Sequence, residues 1–94
     1  MKNTIKSINP ANETIIQEFP DWGMDEIKPI IEAADNAFEK WQLLDFPQRA
    51  QCFFSMAKLL RERKADYALL MAIEMGKPVI QGEAEIEKCA WVCE

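Results

Sequence analysis

The stretch "EFPDWGMDEIKPIIEAADNAFEKW", Glu18 to Trp41, is where one hydrophobic pattern gives way to another. From Asp25 onward, Ile27, Ile30, Ile31, Ala34, Ala37, Phe38 and Trp41 recur at intervals of three and four, the period of one helix face. "PDWG", Pro20–Gly23, separates this run from the extended pattern before it. Asp25 and Glu26 put negative charge at the helix N-terminus, where the macrodipole favours it. Pro29 restricts the start. A helix beginning near Asp25 leaves the proline within the first turn or so, where its missing N–H costs few bonds. The spacing predicts a helix over residues 25–42.

Working back towards the N-terminus, "TIKSINPANETIIQEFP" has β-branched residues on both sides of the turn cluster Asn9-Pro10-Ala11-Asn12. This reads as a hairpin over residues 4–19, with strands near Thr4–Ile8 and Thr14–Phe19. Asn12 can take the left-handed conformation that such a turn often needs. Two strands alone are marginal in water, so the ribbon must lean on something else.

Working forward, Asp45 and Pro47 mark a second helix, residues 47–62, with Ala50, Phe53, Phe54, Ala57 and Leu60 on its apolar face. It fades at "RERK", Arg61–Lys64, which reads as a solvated helix end. Asp66 is expected to cap a third helix, 66–75, carrying Leu69, Leu70, Ile73 and Met75 and stopped by Gly76. Pro78 then opens a fourth, 78–94, through Ile80, Ala84, Glu87, Lys88, Trp91 and Val92. The fold class is mainly α: a short N-terminal β-hairpin followed by four helices, forming one partial domain over residues 1–94.

Composition narrows the functions available. Ninety-four residues with 49% apolar and 29% charged side chains suit a folded chain with a well-solvated exterior. Eleven basic against sixteen acidic residues, a net charge of −5, argue against a nucleic-acid partner. No apolar run approaches the roughly 18 residues of a membrane span, so no membrane partner is expected and the chain reads as cytoplasmic. Three cysteines fit reduced thiols better than a disulfide framework. Histidine, the commonest general base and metal ligand, is absent.

The candidate chemistry is thin. Cys89 and Cys93, four apart, share a helix face and raise the question of a metal or redox pair. Zinc, however, wants three or four protein ligands, and no histidine can complete the set. Small apolar side chains buried in a core account better for all three cysteines. Cys52 has no base at a recognisable spacing. Glu83, Glu85 and Glu87 fan around their helix as a solvated face instead of converging. Gly23, Gly76 and Gly82 lack the spacing of a phosphate cradle. Phe38, Trp41 and the methionines read as core. No catalytic, cofactor-binding or metal residue is assigned.

A combination of motifs reaches further. "INPAN" at Ile8–Asn12 resembles the N-terminal hairpin of the aldehyde dehydrogenase superfamily. "AFEKW" at Ala37–Trp41 and "PQRAQCFFSMAKLLRER" at Pro47–Arg63 resemble its first two long helices, and "EMGKP" at Glu74–Pro78 with "AEIEKCAWVCE" the turn and helix that follow. The short N-terminus and the "EMGKP…Q…AE…K" pattern lean towards the succinate-semialdehyde branch. The hairpin departs from the family in one respect: the usual glycine after "NPAN" is replaced by Glu13.

The resemblance implies the N-terminal part of a cofactor-binding domain. In the whole enzyme, an aldehyde adds to a cysteine thiolate, hydride passes to NAD or NADP, and the thioester is hydrolysed to the carboxylic acid. The family's nucleophile, glutamate base, oxyanion-holding asparagine and cofactor loops lie further along, and none maps onto a residue here. This chain is expected to be inactive and to bind no cofactor itself. The sequence reaches Glu94 with its amphipathic pattern still running, as expected of the front piece of a larger enzyme. Some family members hold a monovalent cation between a carbonyl just before "NP" and a carboxylate after "GKP", positions that correspond to Ile8 and Glu85. The alternative reading is a stand-alone helical binding or assembly module derived from a truncated dehydrogenase gene. On either reading, the apolar stripe Ile80, Ala84, Trp91 and Val92 is expected to drive self-association through the last helix.

Overall fold

The computed structural model describes residues 3–94. Strands β1 (Thr4–Ile8) and β2 (Ile15–Pro20) form an antiparallel hairpin with Thr4 opposite Pro20 and Ser7 opposite Gln17. Ile8 then faces Ile15, so Ile16 is an extra residue that bulges β2. The loop is closed by the Asn9 amide donating to the Thr14 carbonyl (2.9 Å) and the Glu13 amide to the Asn9 carbonyl (2.8 Å). The Asn9 side chain accepts from the Ala11 amide at 2.9 Å. Asn12 Oδ1 accepts from both the Thr14 amide (3.1 Å) and the Thr14 hydroxyl (2.7 Å). The left-handed residue is therefore not Asn12, as the sequence suggests, but Glu13, at φ 61°. Asn12 uses its carboxamide to bracket the turn from outside, and the reversal falls on its neighbour.

Helix α1 spans Met24–Trp41. Glu26 reaches back to accept from the Gly23 amide at 2.9 Å, holding the first turn. Pro29 is the sixth helical residue, so the bond its amide would make to the Asp25 carbonyl is lost. Helix α2 (Phe46–Glu62) opens with a reciprocal cap: Gln48 donates its amide to Asp45 Oδ1 (2.9 Å) and accepts the Asp45 amide (3.0 Å). Helix α3 (Lys64–Met75) begins earlier than the sequence suggests. Only Arg63 separates it from α2, and Asp66 sits inside its first turn instead of capping it. Gly76, at φ 72°, ends α3 in the left-handed conformation glycine tolerates. Pro78 precedes α4 (Val79–Cys93).

Helix α4 is the hub against which α2 and α3 pack. Its buried residues are Gly82, Ile86 and Ala90, four apart and on one face. Ala68 of α3 and Ala57 of α2 are likewise buried. This corrects the sequence-based face of the helix: Ile80, Ala84, Trp91 and Val92 point outward. Small side chains win the packing position because they let the backbones approach closely. A Cβ on Gly82 would lie 3.2 Å from the Cα of Ala68.

Among the described residues no large side chain is fully buried, and α1 buries no residue at all. The molecule is a plate of 48 × 40 × 14 Å, too thin to enclose a core. Its radius of gyration is 17.5 Å, against roughly 12 Å for a compact chain of this length. Its accessible surface is 7785 Å², where a compact monomer of this mass exposes roughly 5,600 Å².

Candidate functional site

Three local arrangements bring side chains together across elements. The first is ionic. Arg61 on α2 donates from Nε to Glu87 Oε1 (2.8 Å) and, through Nη1 and Nη2, to the two carboxylate oxygens of Glu94 (2.8 and 2.6 Å). Lys64 approaches the other Glu87 oxygen at 3.6 Å. The planar guanidinium suits this forked geometry as an ammonium does not. Hydrogen bonds from Arg61 hold the Glu87 and Glu94 carboxyls below their usual range. The same bonds, that with Glu94 foremost, push the guanidinium above its own. Each shift favours the charged form of its group. The cluster clamps α2 to the end of α4 and is unsuited to passing a proton. It also corrects the reading of "RERK" as a merely solvated end. No periodicity signals pairs 26 and 33 residues apart in the chain.

The second is the corner between α3 and α4. Ser7 of β1 donates its hydroxyl to Glu74 Oε1 at 3.0 Å. The Pro10 ring lies 3.6 Å from where a Cβ on Gly76 would stand. The hairpin is thereby anchored on the "GKP" turn, the support its two strands need. Lys77 pairs with Glu85. A cation at the Ile8–Glu85 position would have to displace that ammonium. Of the alternating glutamates, Glu83 is half-buried, Glu85 bonds Lys77 and Glu87 bonds Arg61.

The third is sulfur. The cysteines are free, but the expectation that all are buried fails: Cys52 and Cys89 are exposed and Cys93 is half-buried. Phe38 is 55% exposed and Trp41 only half-buried, so neither belongs to a closed core. The reason is common to all of them. Their helix faces are amphipathic, as the spacing indicates, but nothing among the described residues lies over them. Cys89 and Cys93 share α4 without converging on one groove; Cys93 instead lines a groove with Cys52, Met56, Phe53 and Trp41.

The three glycines form no phosphate cradle. Gly23 precedes α1 with Glu26 folded back onto its amide. Gly76 terminates α3 and Gly82 is packed against Ala68. None leaves a bare helix N-terminus able to receive a pyrophosphate.

The architecture is a hairpin followed by four helices, with the hairpin seated on a Gly-Lys-Pro corner. The chain belongs to the aldehyde dehydrogenase family, which it matches over residues 1–94. It is 37% identical over 89 residues to a probable NADP(+) succinate-semialdehyde dehydrogenase of Synechocystis, covering 95% of this chain and 20% of that protein. To a glutarate-semialdehyde dehydrogenase of Pseudomonas aeruginosa it is 40% identical over 87 residues, covering 93% and 18%. The crystal structure of glyceraldehyde-3-phosphate dehydrogenase GapN from Methanocaldococcus jannaschii, complexed with NADP, superimposes with a TM-score of 0.88 at 27% identity, covering 99% of this chain and 20% of that one. The chain thus spans about a fifth of the length of the relatives it matches. The hairpin-and-four-helix architecture expected from the sequence is the one observed.

Proposed function

We propose that this chain is the opening segment of an NAD(P)-dependent aldehyde dehydrogenase of the succinate-semialdehyde type, one partial domain of a larger cytoplasmic enzyme that oxidises an aldehyde to a carboxylic acid. The observation that carries this reading is the similarity, along almost the whole chain, to semialdehyde dehydrogenases at 37–40% identity. Names of relatives from Synechocystis, fission yeast and Escherichia coli specify NADP(+), another Escherichia coli relative's name specifies NAD(P)+, and the GapN structure holds NADP, which supports an NAD(P) cofactor with NADP among those accepted. Among the described residues no helix is long and apolar enough to cross a membrane. The segment's own contribution is architectural. The Arg61 clamp and the Ser7–Glu74 bond fix a plate on which the rest of a dehydrogenase chain can be built. Isolated, the plate self-associates through α4.

A chimera tests the reading. Residues 1–94 replace the corresponding first segment of the Synechocystis protein, and NADP reduction is followed with succinate semialdehyde. The chimera should turn over, whereas this chain alone and the relative lacking its first segment should not. A folded, soluble chimera without activity would refute it.

A further inference from the structure

Helix α1 stands apart from the seam. The elements that pack extensively are α2 and α3 against α4, and the two strands against each other. Yet α1 is the most sharply two-sided helix of the chain, with Ile30, Ile31, Ala34, Ala37 and Phe38 on one face. All five are exposed, Ile31 at 61% and Phe38 at 55%. The plate is 14 Å thick, little more than the roughly 10–12 Å of one helix with its side chains. Nothing among the described residues therefore folds over this face. Two charged flanks border it. Glu26, Ala33 and Lys40, seven apart, run along one side, and Lys28 and Asp35, also seven apart, run along the other, with Glu39 one turn beyond. Lys28, Glu39 and Lys40 make no ion pair among the described residues.

We infer that this face is a second contact between copies of the chain, in which two α1 helices lie antiparallel and cross at Ala34. In that register Ile30 meets Phe38 of the second copy and Ile31 meets its Ala37. Ala34, the smallest, stands where the backbones come closest. Antiparallel pairing sets each flank against the same flank of the other copy. Lys28 then comes level with Glu39, and Glu26 with Lys40, to within a turn. A two-fold axis makes each of these pairs twice. Glu26 already accepts the Gly23 amide through one oxygen, so the pair of Lys28 with Glu39 is the cleaner probe. A parallel pair would set Phe38 against Phe38 and lay the helix dipoles side by side in the same sense. The antiparallel one places each positive end beside a negative end. Two single helices bury less than the roughly 1,200 Å² of a stable complex. The contact is therefore weak, with a Kd on the order of 100 μM, and joins copies already paired through α4 only above the micromolar range.

The test is sedimentation equilibrium of the whole chain in the Trp91→Glu background, at low salt and from about 10 μM to 1 mM. A monomer–dimer equilibrium should appear, and Phe38→Glu should abolish it. Lys28→Glu and Glu39→Lys should each weaken it about tenfold, although they move the net charge in opposite directions. The double variant Lys28→Glu/Glu39→Lys should return to within about twofold of the background, because the pair is restored with its sign reversed. Molar salt should bring the single variants and the background together. Circular dichroism of each variant shows that it is folded. In a parallel pair the double variant would be the weakest of all, since like charges would then face each other across both flanks. That result would overturn the contact. So would a background chain that stays monomeric at about 1 mM, or single variants whose association simply follows net charge.

Discussion

Glu13 holds the hairpin loop in a conformation that costs an L-residue roughly 1–2 kcal/mol. It stands where the aldehyde dehydrogenase resemblance leads one to expect glycine, so the strain belongs to this sequence and not to the fold. Replacing it with glycine removes the steric cost but returns roughly 0.4–1 kcal/mol of chain entropy to the unfolded state. The steric gain is the larger, so Glu13→Gly should stabilise the chain by about 0.5–1 kcal/mol in a urea titration. Glu13→Val, β-branched at the same φ, should destabilise it. Equal midpoints for the two variants would mean that the loop relaxes out of the left-handed region.

The charged cluster makes its own prediction at this scale. Glu87 and Glu94 have folded pKa values depressed by the hydrogen bonds from Arg61. A depressed carboxylate pKa contributes stability at pH values above the unfolded one, roughly 4.3, and that contribution is lost as pH falls through the folded value. Arg61, shifted upward, remains charged throughout. Arg61→Gln should therefore lower the melting temperature at pH 6, and the gap to the parent chain should close as pH falls below the ordinary carboxylate range and through the depressed folded values. High salt should narrow the same gap, since these side chains are 37–48% exposed. A gap that is constant with pH would show that Arg61 acts through its aliphatic stem and not its charge.

At the scale of elements, the sequence is legible where one signal dominates. The hairpin and α1 are readable from the change of period at Pro20–Gly23, and α2 from Asp45 and its proline. The start of α3 is not. Asp66 is a good cap, but Arg63 alone suffices to turn the chain, and the helix begins at Lys64. Nor is the packing face of α4. Hydropathy points to Ile80, Trp91 and Val92, whereas the seam is made by Gly82, Ile86 and Ala90, whose merit is small size or position and not greasiness. Ala68 shows why. It is fully buried, and its Cα and Cβ both lie 3.2 Å from where a Cβ on Gly82 would stand. These are atoms fixed to a helix backbone and cannot rotate away. Gly82→Ala gains roughly 0.8–1 kcal/mol in helix propensity but forces α3 and α4 apart, an overpacking cost of roughly 1–3 kcal/mol. Packing should win. The variant should lose about 1 kcal/mol in urea, and Gly82→Leu considerably more. A stabilised Gly82→Ala would mean that the helices can slide to accept a methyl group.

For the whole molecule, the governing quantity is surface. A chain exposing 7785 Å², where a compact monomer exposes roughly 5,600 Å², leaves an excess larger than the roughly 800 Å² that each partner contributes to a standard interface. Much of it is apolar: Ile80 is 83%, Trp91 67% and Val92 70% exposed along α4. At about 25 cal/mol per Å², even a few hundred Å² of wetted apolar surface costs several kcal/mol, a large share of the roughly 5–15 kcal/mol typical of a folded domain. In a full dehydrogenase the remaining four-fifths of the chain is available to cover such a face; in isolation another copy of the same chain is the nearest source of matching surface. Sedimentation of the isolated chain at micromolar concentration should therefore give a dimer or larger species. Trp91→Glu places a charge in the middle of the stripe and should shift the distribution towards monomer, while Phe38→Glu, on α1, should leave it largely in place. A folded monomer indifferent to Trp91→Glu would show that the plate tolerates its exposed faces, and would favour the stand-alone module over the enzyme segment. An oligomer abolished by Phe38→Glu alone would move the interface from α4 to α1.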